Sequence, residues 1–236
     1  GRCKPFGDGE GGFVEGEGAC VLLLKPLRDA LRDNDHIYGV IRGSAVNSGG
    51  RTGGYTVPDP SAQEELIVRA LERSGVAPRT ISCIEAHGTG TSLGDPIEIE
   101  GLARAFRRYT GDAGFCAVGS IKGNIGHLIA AAGVAGLVKV LLQMKQKELA
   151  PSLYCRPANP KVDFDGGPFY LQEGLGPWEG HFPRRAGVSA FGSGGSNAHV
   201  IVEEHPRGAA SGPADGTGCH LVPLSARDRR SGSGSA

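Results

Sequence analysis

The chain has 236 residues, enough for one large domain or two small ones and for a real hydrophobic core. Lys plus Arg and Asp plus Glu each number 25, so the net charge is zero and nothing electrostatic argues for nucleic acid or an anionic membrane as a partner. Glycine is the outlier at 40 residues, about 17% against an ordinary ~7%, yet with 15 prolines the chain stays short of the composition that signals disorder.

Residues 1–12 are polar and glycine-rich, without the apolar segment of a signal peptide. Residues 13–27 join a glycine-rich turn to Val21-Leu22-Leu23-Leu24, a predicted buried strand, and residues 37–46 read as a second strand. Residues 47–60 are turn-rich, with Ser48-Gly49-Gly50 and Gly53-Gly54-Tyr55. Ser61-Ala-Gln-Glu64 reads as a capping box for a helix carrying Leu66, Ile67, Ala70 and Leu71, and Gly75 ends it. Two similar units follow. A short strand over 80–85 leads into His87-Gly-Thr-Gly-Thr91. Asp95-Pro96-Ile97-Glu98 then starts a helix to about residue 108, with Asp as cap, Pro in the first turn and Glu reaching back. A strand over 116–119 leads into Lys122-Gly-Asn-Ile-Gly-His127 and an apolar helix to about residue 145. Its most apolar stretch, 128–138, is interrupted by Lys139 and reads as too short for a bilayer; its Ala and Gly suit burial between close neighbours. Residues 186–191 and 199–203 are strand-like around the loop Gly192-Ser-Gly-Gly-Ser-Asn197. From residue 206 the chain turns rich in Gly, Ala and Pro, and residues 231–236 read as a flexible tail. The expected division is a domain over 1–205 and a linker and tail over 206–236.

The order strand, loop, helix, strand, loop, helix matters. A right-handed crossover makes the two strands parallel and adjacent, so both glycine loops leave the same edge of the sheet, where α/β proteins place their sites. His87 and His127, 40 residues apart, can then face one cavity. Either histidine alone reads as a loop-packing residue. Together they suit stabilisation of a developing enolate by neutral imidazole N–H donors. A phosphate cradle is set aside, because neither a P-loop nor a GxGxxG fingerprint is present. Asp95 and Glu98 as an acid/base pair are explained away by the capping box. Lys122 either neutralises Glu98 or is solvated, and His199 reads as a packed strand histidine. His36, His181, His205 and His220 have no informative context. The six cysteines form no CxxC pair, so no metal site is expected, and free thiols in a reducing cytoplasm are.

Glu85-Ala-His-Gly-Thr-Gly-Thr91, Gly94-Asp-Pro-Ile-Glu98, Gly119-Ser-Ile-Lys-Gly-Asn-Ile-Gly-His127 and Gly187-Val-Ser-Ala-Phe-Gly-Ser-Gly-Gly-Ser-Asn-Ala-His199 resemble a ketosynthase, the β-ketoacyl synthase domain of modular polyketide synthases, in order over about 1–204. Asn47-Ser-Gly-Gly, Gly54-Tyr-Thr-Val-Pro58 and Ser193, where many relatives have Phe, resemble the branch served by separate acyltransferases. The resemblance implies an α/β, thiolase-like fold layered α/β/α/β/α, of which this chain is the carboxy-terminal half, with a mixed sheet and a buried apolar helix. It implies decarboxylative condensation of a cysteine-bound acyl chain with a malonyl unit on an acyl carrier protein. His87 and His127 match the two catalytic histidines. Lys122 and Glu98, with Asp95, match supporting residues, and Thr89 and Thr91 match threonines that meet the phosphopantetheine arm. The backbone of Ser193 and Gly194 matches the oxyanion loop. No cofactor is bound directly; the phosphopantetheine arm is the substrate carrier.

The departure is the nucleophile, whose motif lies before this segment in the family; none of the six cysteines has its setting. The resemblance therefore implies a carboxy-terminal half inactive alone, partnered by the amino-terminal half, by acyl carrier protein and by a second copy of the complete domain. Leu221-Val-Pro-Leu-Ser-Ala-Arg227 resembles the linker that follows such domains. The alternatives are a non-catalytic carrier-protein-binding or gatekeeping scaffold, disfavoured by His87, and a thiolase-type degradative enzyme, disfavoured because residues 187–199 offer no second cysteine.

Overall fold

The computed structural model describes residues 1–206 except Glu10, Gly11, 51–53, Tyr55, Thr56 and His181. Most of the linker and tail expected over 206–236, with Cys219, His220 and the 221–227 motif, lies outside the described residues, as do His181 and part of the 47–60 turn stretch. Residues 1–205 form one compact unit.

In chain order the elements are α1 (Leu27–Arg32), β1 (Val40–Ser48), α2 (Pro60–Ser74), β2 (Cys83–Glu85), α3 (Gly94–Arg107), β3 (Cys116–Gly119), α4 (Lys122–Ile125), α5 (Ala132–Gln146), β4 (Glu148–Leu149), β5 (Phe169–Leu171), β6 (Gly176–Pro177), β7 (Arg185–Phe191) and β8 (Ser196–Glu203). Six strands make a mixed sheet in the order β1-β8-β7-β2-β3-β5. The crossover expected from sequence is present: β2 pairs parallel with β3, Cys83 opposite Ala117 and Glu85 opposite Gly119. β7 and β8 form an antiparallel hairpin, and β8 pairs antiparallel with β1.

Side chains alternate across the strands, so each face buries its own cluster. Ile84, Val118 and Ile201 join Leu66, Ile67, Leu71, Leu102 and Phe106 of α2 and α3 on one face. Cys83, Ala117, Ala186, Val188 and Val202 join Val140 and Met144 of α5 and Trp178 on the other. The result is a helix–sheet–helix sandwich of the α/β class. Helix α5 approaches closely because of its small residues. A Cβ on Gly133 would lie 3.1 Å from Ala190 Cβ, and one on Gly136 would lie 3.0 Å from Glu85 Cγ.

Several local expectations change. The cap of α2 is Asp59, which accepts from Ser61 N–H, with Pro60 opening the helix; Ser61 is already inside it. Gly75 does end the helix, at φ 62°. β8 begins at Ser196, so the third glycine loop is shorter than its composition suggests. The apolar helical stretch Ile129–Gln146 reaches 18 residues, long and apolar enough by length and composition to cross a membrane, because a 3₁₀ turn precedes α5 and apolar residues resume after Lys139. That lysine is ion-paired to Glu85, and one face of α5 lies on the sheet.

The largest change concerns Val21-Leu22-Leu23-Leu24. It forms no strand, and Val21 and Leu23 are 94% and 95% exposed, with Leu24 exposed beside them. An apolar run of this kind becomes a buried strand only when another strand takes its backbone hydrogen bonds, and none does so among the described residues. Such a patch is a surface for association. We expect this chain alone to self-associate in sedimentation velocity, and Val21→Ser with Leu23→Ser to shift it towards monomer with its circular dichroism unchanged. A monodisperse parent chain would contradict the assignment.

Candidate active site

Because Glu85 and Gly119 sit opposite one another, the chain leaves β2 and β3 at the same height, and Ala86 N–H donates to Gly119 O at 2.9 Å. The sequence-predicted histidines meet there. The His87 and His127 rings lie 5.3 Å apart between centroids, inclined at 81°. Both line a cavity of about 900 Å³, within the usual range for small-molecule sites, together with Thr89, Thr91, Ser193 and Gly194. Two aromatic rings flank the imidazoles, Phe191 at 5.7 Å from His87 and Phe13 at 5.2 Å from His127.

The His87 loop is held by its backbone. Glu98 accepts from His87 N–H (2.7 Å) and Gly88 N–H (2.8 Å). Asp95 accepts from Gly90 N–H (3.1 Å) and from Phe6 N–H (2.6 Å), 89 residues away. The capping-box reading of these carboxylates is therefore corrected: α3 starts at Gly94 after Leu93 with no side-chain cap, and both acids serve the preceding loop. Gly88 sits at φ 39°, and a Cβ there would lie 2.8 Å from Ser120 Cβ, so glycine is required for the two loops to approach. The Thr89 and Thr91 hydroxyls are 3.2 Å apart, and Thr91 also accepts from Gly94 N–H at 3.1 Å.

The His127 loop is held by a segment to which sequence reasoning assigns no role. His127 N–H donates to Val14 O (2.7 Å), and Gly16 N–H donates to His127 O (3.0 Å). A side chain at Gly16 would put Cβ 2.2 Å from Ile125 O. Ile129 N–H donates to His127 Nδ1 at 2.9 Å, so the neutral ring carries its proton on Nε2. Glu85, which sequence reasoning also missed as a site residue, accepts from Ile121 N–H at 2.7 Å ahead of the same loop. Gly16 and Gly18 are the available signal for a close approach, but nothing local names its partner.

Burial is the main cause of the shifts at this site. It holds His87 well below the ordinary histidine value, with the Lys122 and His127 charges adding, and it lowers His127 with help from Lys122. Both rings are therefore neutral near neutrality, and His87 Nδ1 is enclosed without a hydrogen-bond partner. Burial also lowers Lys122, opposed by Glu85 first and then Glu98; among the described residues Lys122 forms no ion pair, so its link to Glu98 is through space. Asp95 is pushed up to about 6 and Glu98 to about 7, again by burial and against their backbone hydrogen bonds.

In the third loop, Gly192 and Gly195 N–H donate to backbone carbonyls, whereas those of Ser193 and Gly194 find no acceptor among the described residues. His199 is fully buried on β8, with Nδ1 3.0 Å from Ser189 Oγ, away from the cavity. No described cysteine lines the cavity. Cys83 and Cys116 are buried, their thiols pushed up to about 12 and well above the ordinary value.

Two neutral imidazoles on parallel-strand loops thus share one cavity with a glycine loop whose N–H donors are unspent. Comparison with known proteins gives the family. The family model for the β-ketoacyl synthase C-terminal domain matches residues 38–156, and that for the ketoacyl-synthetase C-terminal extension matches 158–234. The chain belongs to the β-ketoacyl synthase family, as the carboxy-terminal part of a polyketide-synthase ketosynthase. It is 54% identical over 233 residues to polyketide synthase PksM of Bacillus subtilis, covering 96% of this chain and 5% of that protein. It is 55% identical over 208 residues to polyketide synthase ThaG of Burkholderia thailandensis, covering 87% and 4%. Among solved structures, the ketosynthase from module 6 of the bacillaene synthase of Bacillus subtilis superposes with a TM-score of 0.86 at 49% identity, covering 88% of this chain and 37% of that one. Ketosynthase twelve from the bacillaene polyketide synthase of Bacillus amyloliquefaciens gives 0.88 at 42% identity, covering 98% and 40%. The chain thus spans well under half the length of these relatives.

Glu98 supplies a test by pH. Its folded-state pKa is raised above the unfolded value, so its contribution to stability is fully present below about pH 4.5 and is lost as pH rises through about 7. We expect Glu98→Gln to flatten the fall of the urea midpoint between about pH 5 and pH 8, and to cost least at the alkaline end. A variant whose pH slope parallels the parent's would show that Glu98 is not the group responsible.

Proposed function

We propose that residues 1–205 are the malonyl-binding half of a β-ketoacyl synthase that condenses an acyl chain with a malonyl unit carried on acyl carrier protein, and that residues 206–236 form a linker and tail. The observation that carries this reading is the pair of neutral imidazoles 5.3 Å apart in one cavity. The acyl chain is held as a thioester on a cysteine supplied by the rest of the domain, since the cysteines of the described segment are buried away from the cavity or, like Cys20, exposed outside it.

In this reading the malonyl thioester oxygen lies against His87 and His127. The bond to the carboxylate breaks, carbon dioxide leaves, and its electron pair becomes the enolate. His127 Nε2–H donates to the enolate oxygen, as Ile129 N–H on Nδ1 requires. His87 shares the same oxygen, drawing on a ring that burial keeps neutral. The enolate carbon attacks the acyl thioester, a carbon–carbon bond forms, and the cysteine leaves as thiolate. The free N–H groups of Ser193 and Gly194 supply the oxyanion hole for that tetrahedral intermediate. Thr89 and Thr91, hydroxyls on the cavity wall, receive the phosphopantetheine arm. Lys122, Glu98 and Asp95 hold the loops and their charge balance. The five cysteines among the described residues are free, which suits a reducing cytoplasm. Acyl carrier protein, the amino-terminal half and a second copy of the complete domain are the proposed partners.

In a complete ketosynthase carrying this segment, His127→Ala should lower condensation by on the order of 100- to 1000-fold while acyl transfer onto the cysteine continues. The measurement is mass spectrometry of the acyl-enzyme beside product formation from malonyl carrier protein. Condensation at the parental rate would sink the assignment. A parent domain that acylates but never condenses would favour a gatekeeping scaffold.

A further inference from the structure

Glu85 is the one buried acid near the histidines that the mechanism above leaves without a task. It is 2% exposed and lies outside the cavity wall, so it does not meet substrate. Its position is nonetheless central: two residues before His87 and opposite Gly119, where the second loop departs. Both oxygens are committed across the gap to the His127 side. Oε1 accepts from Ile121 N–H at 2.7 Å, immediately ahead of Lys122 and the turn to His127. Oε2 accepts from Lys139 Nζ at 2.6 Å, on the helix that follows His127. Gly136, one turn before Lys139, lets that helix settle on the carboxylate: a Cβ there would press on Glu85 Cγ at 3.0 Å.

We propose that Glu85, clamped between Ile121 N–H and Lys139, is a positioning residue that sets the separation of the two histidines for decarboxylation. The proposal rests on the condensing reading above. The strand that presents His87 is thereby tied by one carboxylate to both flanks of the His127 loop. A buried ion pair contributes little net stability over an apolar pair of similar volume, so its use here is geometric. Oxygen stabilisation by two donors fails when either shifts by about an ångström, at a cost on the order of 100-fold.

The test uses a complete ketosynthase carrying this segment, with acyl and malonyl carrier proteins as probes. Carbon dioxide release from malonyl carrier protein is measured beside self-acylation. Glu85→Gln keeps an acceptor for Ile121 but sets an amide N–H against the Lys139 ammonium; Lys139→Met leaves the carboxylate uncompensated. Each should lower kcat for decarboxylation by on the order of 10- to 100-fold, with KM for malonyl carrier protein and the acylation rate within about twofold. The double variant Glu85→Gln with Lys139→Met removes the charge imbalance but not the lost tie to α5, so its thermal midpoint should recover while decarboxylation stays lowered; a recovered rate would overturn the proposal. Decarboxylation within about twofold of the parent in Glu85→Gln, or loss of acylation in step with decarboxylation and thermal midpoint, would overturn the proposal. Where Glu85→Gln does not fold, Glu85→Asp keeps the charge one methylene short; an unchanged rate in that variant overturns it equally. His127→Ala separates the two readings. If it decarboxylates normally, the condensing assignment fails; if it is inactive while Glu85→Gln is normal, only the positioning role does.

Discussion

Carboxylate oxygens accepting backbone N–H hydrogen bonds hold this site together. Glycine-rich loops cannot fix themselves, because they carry few side chains to pack and wide backbone freedom. Glu98 therefore takes the N–H groups of His87 and Gly88, Asp95 those of Gly90 and Phe6, and Glu85 that of Ile121. Hydrogen bonds to a charged acceptor contribute about 1.5–3 kcal/mol each, more than neutral ones. For the ionised forms of Asp95 and Glu98 burial more than offsets that gain, which is why their values are raised. What remains is placement: each histidine backbone is anchored from outside its own loop, and the rings meet at one wall.

The arrangement also explains why the sheet must be parallel at its centre. Only a parallel pair delivers two loops to one edge, and only in-register pairing of Glu85 with Gly119 delivers them at one height. The hairpin of β7 and β8 then brings Phe191 and the Ser193 loop to the same edge from the other side of β2. These loops enclose the cavity, and the apolar clusters on both faces of the sheet hold the strands that carry them.

Much of this was legible in the sequence because it is local or periodic. The strand over 116–119, the crossover and the convergence of His87 with His127 follow from pattern and chain connectivity. The family resemblance supplied roles for Thr89, Thr91, Ser193 and Gly194 that no periodicity contains. The failures have three physical sources. Asp95-Pro-Ile-Glu98 has the pattern of a helix cap, but an acid in a first helical turn can equally accept from the loop before it, and only the fold decides which. Phe6, Val14 and Gly16 act over long sequence separations, 89 residues between Phe6 and Asp95, where one sequence carries no pairing signal. Val21-Leu22-Leu23-Leu24 has a strand's composition, yet strand formation depends on a neighbour that composition does not mention.

The charge pattern bears on the chemistry more closely than the histidines alone suggest. In the proposed condensation a protonated imidazole would bind the malonyl carboxylate in the ground state, and tight ground-state binding does not accelerate bond cleavage. Here burial and the nearby Lys122 charge both push His87 and His127 towards neutrality, while Ile129 N–H fixes the His127 tautomer. In that reading neutral N–H donors gain most when the oxygen becomes an enolate, so their stabilisation would fall on the transition state. Lys122 in turn can remain buried beside these rings because Glu85 and Glu98 face it through space. The same carboxylates that hold the loops therefore also help to keep the cation whose field adds to burial in holding the imidazoles uncharged.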